Sequence, residues 1–160
     1  MGLAETEGLA DLIERGGFYR DVRGTTPREV LSALIKALPS IPSVSQDLLL
    51  NAMLEREALM STSVGYGIAL PHPRNPLVWS GSEQFVTLAF LEHPVDWHSL
   101  DGQLVDTLLL IVSASAKQHL QTLSKINYFC RQENFKKLLR ERANQEELLR
   151  FIREAEKNWR

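Results

Sequence analysis

The sequence has one cysteine and no long hydrophobic run, and each absence excludes a class of protein. Cys130 is alone, so the chain cannot close an internal disulfide, and its apolar neighbours Ile126 and Phe129 indicate a buried thiol in a reducing compartment. The longest apolar run, 108–112, suits a buried strand and is far too short to cross a bilayer. The N-terminus also lacks the basic-then-apolar pattern of a signal peptide. We therefore expect a cytoplasmic protein without a membrane-inserted segment.

An excess of one charge is also lacking. The chain has 18 basic and 20 acidic residues mixed along its length, for a formal net charge of -2. This balance produces no strong field to attract DNA, RNA or an anionic membrane, so nucleic acid is not expected as a partner. The 160 residues, 44% of them hydrophobic, suit one compact domain, which we expect to span residues 1–160. Met1, Gly2 and Thr6 fit a loose N-myristoylation pattern, which is short enough to match by chance and is set aside.

Several motifs of cofactor chemistry are missing. The chain has no G-x-x-x-x-G-K-[ST] loop, and the G-Y-G at 65–67 lacks the third glycine of a dinucleotide fingerprint. No G-x-S-x-G elbow of a serine hydrolase occurs. His93, Asp96 and His98 could bind zinc, but their spacing matches none of the usual ligand motifs and suits a surface turn. We therefore expect neither a cofactor nor a metal.

Capping signals predict where the helices begin and end. A first helix ends at the glycines at 16–17, and Thr26, followed by Pro27 and Glu29, gives the clearest helix start. The same spacing of a short polar residue and a Glu or Gln predicts three further helix starts, at Ser43 with Gln46, Ser115 with Gln118, and Asn144 with Glu147. A short helix is also expected over 135–139.

Runs of β-branched, leucine and phenylalanine residues predict strands at 18–22, 68–70, 85–91 and 104–112. The last two are joined by a loop that contains Pro94, Asp101 and Gly102. Helices both before and after a block of short strands imply a sheet covered by helices. We predict a single α/β (α+β) domain whose mixed sheet of about five strands is flanked by helices on both faces.

Two of the four histidines have surroundings that suit a reactive imidazole. His72 lies between Pro71 and Pro73, just after a short strand, where the backbone is stiff and the side chain is presented at a sheet edge. His119 falls in the first turn of the helix that Ser115 caps. There the positive end of the helix dipole attracts an anion such as phosphate and lowers the imidazole's affinity for a proton. On local pattern alone, an inert loop histidine and a solvent-facing helix histidine remain open alternatives.

Arg56 and Arg74 are the basic residues nearest His72 in the sequence. A guanidinium suits a phosphoryl group because its N–H groups form a fork that matches two oxygens. Arg56 lies at the end of a predicted helix, immediately before the loop that leads to His72. The alternative reading of Arg56 is an ordinary helix C-terminal cation, which the dipole favours by itself.

Several segments taken in order resemble a known family. They are L-E-R-E-A-L at 54–59, S-T at 61–62, G-I-A-L-P-H at 67–72, P-V-D-W at 94–97, D-G-Q at 101–103 and H-L at 119–120. The chain thus resembles the fructose/mannitol-type enzyme IIA family of the bacterial phosphotransferase system, closest to its nitrogen-regulatory branch. The resemblance covers nearly the whole chain and implies the same helix-flanked mixed sheet.

The resemblance implies a role for each nominated residue. His72 would accept a phosphoryl group from the histidine phosphocarrier protein, and His119 and Arg56 would be the second active-site histidine and the active-site arginine. Transfer between two imidazoles rests on positioning and charge stabilisation, so no metal is required. Thr62 and Ser115 are expected to support the phosphoryl oxygens.

Pro73 departs from the family, which often has glycine after the histidine. Proline cannot donate a backbone N–H to a bound phosphate and stiffens the loop. We therefore expect the onward partner or the transfer rate to differ from those of sugar-transporting members. Arg74 could compensate by supplying a positive charge.

Three functions are compatible with these residues. A regulatory phosphoprotein of the nitrogen type is favoured, because the sequence carries no IIB-like thiol motif and no membrane transporter. The alternative is a sugar-transport enzyme IIA that passes phosphate to an enzyme IIB. The third is a binding module that has lost phosphorylation, and the joint presence of His72, His119 and Arg56 argues against it.

Overall fold

A five-stranded mixed sheet forms the middle of the protein in the computed structural model, which describes residues 7–158. The strands are β1 (Phe18–Val22), β2 (Ser63–Gly65), β3 (Ile68–Ala69), β4 (Phe85–Val95) and β5 (Val105–Val112). Their spatial order is β1-β4-β5-β3-β2. The β1–β4 and β3–β5 pairs are parallel, whereas the β4–β5 and β2–β3 pairs are antiparallel. The predicted mixed sheet is confirmed.

Helices cover both faces of this sheet. Alternate residues along each strand point to opposite faces, and apolar side chains on each face pack against helices. Within the described residues the α-helices are α1 (Leu9–Gly16), α2 (Pro27–Ala37), α3 (Gln46–Leu59), α4 (Ala116–Cys130), α5 (Glu133–Arg140) and α6 (Gln145–Lys157). On one face, Leu88 and Phe90 pack with α1, α4, α5 and α6. On the other, Ala89 and Leu91 pack with α2 and α3. The predicted fold class is therefore confirmed, and no helix in residues 7–158 is long and apolar enough to cross a membrane.

Three of the four predicted helix caps are formed. The side chains of Thr26, Ser115 and Asn144 accept hydrogen bonds from the backbone N–H three residues later, at 3.1, 3.1 and 2.8 Å. These caps satisfy donors that a helix start leaves unpaired. The residues of the N-myristoylation pattern, Met1, Gly2 and Thr6, lie outside the described residues.

The predicted cap at Ser43 is wrong. Helix α3 begins two residues later, and Ser45 caps it by accepting from the backbone N–H of Leu48 at 3.1 Å. The backbone N–H and hydroxyl of Ser43 instead donate to the carboxylate of Glu83. A partner 40 residues away thus competes with the local capping pattern.

Two strands differ from the prediction by more than one residue. Strand β4 does not end at Leu91 but continues through Pro94 to Val95, which pairs with Val105 beyond an irregularity in the register. A proline is tolerated there because the ladder is interrupted. Strand β2 was not predicted, since its three residues show no periodicity; it pairs with β3 at the edge of the sheet.

Cys130 lies in the hydrophobic core, as the sequence predicts. Burial raises the pKa of its thiol to about 12, although the nearby charge of Lys136 acts in the opposite direction. A thiol with so high a pKa is protonated at neutral pH and is a poor nucleophile. Cys130 therefore contributes packing and not chemistry.

The sheet topology places two chain segments side by side. Because β3 and β5 are parallel, both end at the same edge of the sheet, with Ala69 paired to Leu108. His72 follows β3 at this edge, and helix α4 begins shortly after β5 ends at Val112. The fold thus brings together two regions that are more than 40 residues apart in sequence.

Candidate phosphoryl-transfer site

His72 is held at the sheet edge by its own backbone segment. The carbonyl of Pro71 accepts a hydrogen bond from the N–H of Ile111 in β5 at 2.9 Å, so the segment continues alongside β5 past the end of β3. The Nδ1 atom of His72 lies 2.7 Å from the carbonyl oxygen of Leu70. A carbonyl oxygen only accepts, so Nδ1 carries the proton in this contact. The lone pair of the neutral ring is therefore on Nε2.

His119 lies directly beside His72. The two ring centroids are 4.6 Å apart and their planes are inclined by 47°. His119 is in the first turn of α4, and the Oγ of Ser113 lies 3.4 Å from its Nδ1. Both imidazoles are half-buried.

Arg56 supplies the positive charge of this group. It lies in the last turn of α3, is half-buried, and donates from its guanidinium to the carbonyl of Met60 at 2.6 Å. Its charge acts on both imidazoles and lowers the pKa of each. The structure therefore brings together the three residues that the sequence nominates first, His72, His119 and Arg56.

Both imidazoles have lowered pKa values. Burial is the main cause for His72; the hydrogen bond to Leu70 opposes it, Arg56 adds to it, and the charge of Glu57 opposes it. Burial, together with the neighbouring His72 and Arg56, lowers the pKa of His119 to about 4. At neutral pH both rings are therefore neutral. A neutral imidazole keeps a lone pair for attack or one N–H for donation.

Thr62 is buried beside this group but its hydroxyl is already engaged. The hydroxyl donates to Oε1 of Glu57 at 2.7 Å, and the backbone N–H of Thr62 donates to Oε2 at 2.7 Å. To donate to a phosphoryl oxygen as predicted, the Thr62 hydroxyl would have to give up its hydrogen bond to Glu57.

Glu57 is the site residue that the sequence analysis missed. It appeared only as part of the segment at 54–59, and no role was assigned to it. A signal was nevertheless present, because a carboxylate in the last turn of a helix is disfavoured by the helix dipole. A glutamate at this position, next to Arg56 and five positions before Thr62, indicates a contact that offsets the unfavourable helix dipole.

The two remaining predicted residues lie at the margin of the site. Arg74 is exposed and lines a pocket that it shares with Pro73, His119 and Leu120. Ser115 accepts from the N–H of Gln118, so its oxygen serves as the cap of α4 while its hydroxyl proton is not fixed by that bond. Neither side chain has a hydrogen bond to His72 or His119 in the contacts described.

The residues weighed as a zinc site lie elsewhere and are not clustered. His93 and His98 have side chains that are 79% and 80% exposed, and each is 3.8 to 3.9 Å from a single carboxylate, that of Glu92 or Asp96. Within residues 7–158, no group of three or more His, Cys, Asp and Glu could hold a metal ion.

A comparison with protein-family models identifies the class of protein. Residues 12–155 match the family described as the phosphoenolpyruvate-dependent sugar phosphotransferase system, EIIA 2. The match covers most of the chain, so this protein belongs to that family. Proteins of the family are phosphoryl-transfer components of the system.

Curated relatives of two kinds are similar to the chain. A nitrogen regulatory protein of Bradyrhizobium diazoefficiens is 28% identical over 134 residues, which cover 82% of this chain and 86% of the relative. A mannitol-specific phosphotransferase enzyme IIA component of Staphylococcus aureus is also 28% identical, over 149 residues that cover 92% of this chain and 99% of the relative.

Solved structures share the fold. The nitrogen regulatory protein IIA-Ntr of Neisseria meningitidis superposes with a TM-score of 0.76 at 23% identity, over 89% of this chain and 97% of that one. The mannitol enzyme IIA of Escherichia coli, solved in complex with phosphorylated mannitol enzyme IIB, gives a TM-score of 0.63 at 18% identity, over 84% and 92% of the two chains.

Proposed function

We propose that this protein is a phosphocarrier that accepts a phosphoryl group on Nε2 of His72 from a phosphorylated histidine phosphocarrier protein. The observation that carries the proposal is the hydrogen bond from Nδ1 of His72 to the carbonyl of Leu70, which leaves the Nε2 lone pair free on a neutral ring. In the transfer, the P–N bond of the donor phosphohistidine breaks as a P–Nε2 bond forms. The donor imidazole leaves with the electron pair of the broken bond.

Neighbouring groups support the transferred charge. The phosphoryl oxygens carry negative charge throughout the transfer, and Arg56 offers a guanidinium whose charge acts on both imidazoles. His119 is neutral at physiological pH and can donate one N–H to a phosphoryl oxygen. If the Ser113 hydroxyl donates to Nδ1 of His119, the ring proton is on Nε2. The start of α4 adds its favourable dipole.

Arg74 and Ser115 have secondary roles in this proposal. Pro73 has no N–H to offer the phosphoryl group, so the positive charge of Arg74 compensates from the adjacent position. The hydroxyl proton of Ser115 is available for a phosphoryl oxygen because its cap contact uses only the oxygen. Thr62 acts through Glu57 as long as its hydroxyl donates to that carboxylate.

The role of the phosphorylated protein is regulatory in our proposal, of the nitrogen type. A nitrogen regulatory protein is among its curated relatives, but so is a mannitol-specific enzyme IIA component, which favours the alternative of sugar transport. In that alternative the group passes to an enzyme IIB. A neighbouring sugar-permease gene would favour transport, and a neighbouring sigma-factor or nitrogen gene would favour regulation. Cytoplasmic localisation remains a prediction from the sequence.

The proposal is tested by phosphorylation in a reconstituted system. The protein is mixed with phosphoenolpyruvate, enzyme I and the histidine phosphocarrier protein, and intact mass is measured with and without acid treatment. We expect one acid-labile phosphoryl group, present in the exposed-histidine control His93→Ala and absent in His72→Ala. If no cognate carrier phosphorylates the protein, the proposed function is rejected, and a binding module without phosphorylation is the remaining function.

A further inference from the structure

The carboxylate of Glu57 lies where the helix dipole disfavours it. Glu57 is in the last turn of α3, whose C-terminal carbonyls carry partial negative charge. Its two oxygens accept hydrogen bonds of 2.7 Å each, from the backbone N–H and the hydroxyl of Thr62. Hydrogen bonds to a carboxylate are stronger than those between neutral groups, and Thr62 is only 5% exposed. These bonds fix Thr62 relative to the end of α3.

A continuous series of hydrogen bonds leads from Thr62 to the reactive ring. The carbonyl of Thr62 accepts from the N–H of Leu70 at 3.0 Å. The carbonyl of Leu70 in turn accepts from Nδ1 of His72 at 2.7 Å. The β2–β3 hairpin lies between Thr62 and Leu70, so the bond between these two residues closes the hairpin at its open end.

From these contacts we infer that Glu57 is a positioning residue, which through Thr62 and Leu70 holds His72 in the tautomer with the proton on Nδ1. This inference rests on the proposed function, since it explains how Nε2 is kept as the accepting nitrogen. Without the Leu70 carbonyl in place, nothing among the described contacts fixes which ring nitrogen of His72 carries the proton.

Arg56 and Glu57, although adjacent in sequence, have different tasks. Arg56 donates to Met60 and presents its charge to both imidazoles. Glu57 has its two oxygens bonded to Thr62, so it is not a group that would touch the phosphoryl oxygens, which would also repel it. The pair therefore combines charge stabilisation by one residue with positioning by the next.

The test measures the tautomer of His72 directly by ¹⁵N NMR of the imidazole nitrogens in the unphosphorylated protein. In the parent protein and in Glu55→Ala, which removes an exposed carboxylate from the same turn of α3, we expect the Nδ1–H form. In Glu57→Ala we expect a mixture of both tautomers. Glu57→Gln should restore the Nδ1–H form, because its amide oxygen can accept from the Thr62 N–H while its NH₂ donates to the Thr62 hydroxyl.

The rate of phosphoryl acceptance gives the second readout. Misplacing a reacting group by about 1 Å costs on the order of a hundredfold, so we expect a ten- to a hundredfold fall in Glu57→Ala and a fall of less than about threefold in Glu57→Gln. If Glu57→Ala fails to fold, Thr62→Val removes the hydroxyl bond alone and should show a partial shift of tautomer. An unchanged tautomer in the folded variants would overturn the inference.

The two proposals can fail separately. If the parent protein accepts no phosphoryl group, the proposed function fails, but the tautomer measurement still decides whether Glu57 positions His72. If the parent protein is phosphorylated and Glu57→Ala keeps both its tautomer and its rate, the proposed function stands and the positioning role is refuted.

Discussion

Two regions of this protein each contain a pair of histidines, and their surroundings are opposite. His72 and His119 are half-buried, in contact with each other and beside the positive charge of Arg56. His93 and His98 are almost fully exposed, and each lies near a carboxylate. Burial and a positive neighbour keep the imidazoles of the first pair neutral. Residue type alone therefore does not decide which histidines can carry chemistry.

The largest effect should come from removing the positive charge beside the first pair. Arg56→Gln should lower the rate of phosphoryl acceptance by about 10²-fold or more, since it removes the charge that we propose stabilises the phosphoryl oxygens. It should also raise the pKa values of both His72 and His119, because Arg56 lowers them. Quench-flow kinetics and NMR titration would measure the two effects.

Lys36→Gln is the matched control for Arg56, since Lys36 is the basic residue in the last turn of α2. Each substitution removes a cation that interacts favourably with a helix C-terminus, but only one of them is at the site. Equal rates in the two variants would show that Arg56 is no more than a helix-end cation.

Removing the second histidine should have the next largest effect. His119→Gln should reduce the rate of phosphoryl acceptance by about 10- to 100-fold while leaving the proposed acceptor His72 in place, because it displaces the N–H that we propose donates to the transferred group. The same substitution at the exposed His98 should leave the rate unchanged. If the two variants behaved alike, the contrast between the histidine pairs would have no functional meaning.

The pH dependence of stability should report on the buried surroundings of His119. The pKa of His119 is about 4 in the folded protein, against an ordinary value of 6.5. Between these values the unfolded chain binds a proton that the folded protein does not, so stability falls as the pH falls from 6.5 towards 4. After allowance for solvent screening at a half-buried ring, the loss should be on the order of 1 kcal/mol.

Urea unfolding at pH 7 and pH 5 would measure this loss. His119→Gln should make the free energy of unfolding less dependent on pH in this window. Part of the pH dependence should remain in His119→Gln, because the pKa of His72 is also lowered. A pH dependence equal to that of the parent protein would show that His119 does not contribute to it.

The smallest effect should come from Arg74. It is exposed at the margin of the site, where solvent screens its charge, so Arg74→Ala should slow phosphoryl acceptance by only about two- to fivefold. Arg23→Ala is the control, because Arg23 is also an exposed arginine but lies next to the second region, 3.6 Å from Glu92. Identical kinetics in both variants would remove the compensating role proposed for Arg74.

Features that depend on neighbours in sequence were predictable. The caps at Thr26, Ser115 and Asn144 each join residues three positions apart, and the structure contains all three. The hydrophobic runs likewise predicted the mixed sheet with helices on both faces. The Pro-His segment and the histidine in the first turn of α4 identified the two imidazoles as candidates before their proximity was known.

Features that depend on distant partners were decided by the tertiary structure. Ser43 bonds to Glu83 instead of capping α3, and β4 extends to Val95 because Val105 is there to pair with it. The parallel pairing of β3 with β5 brings His119 to within 4.6 Å of His72, measured between ring centroids. The reason is physical: a cap or a periodic run is satisfied within a few residues, whereas burial, pKa and the choice of tautomer depend on groups that only folding brings close.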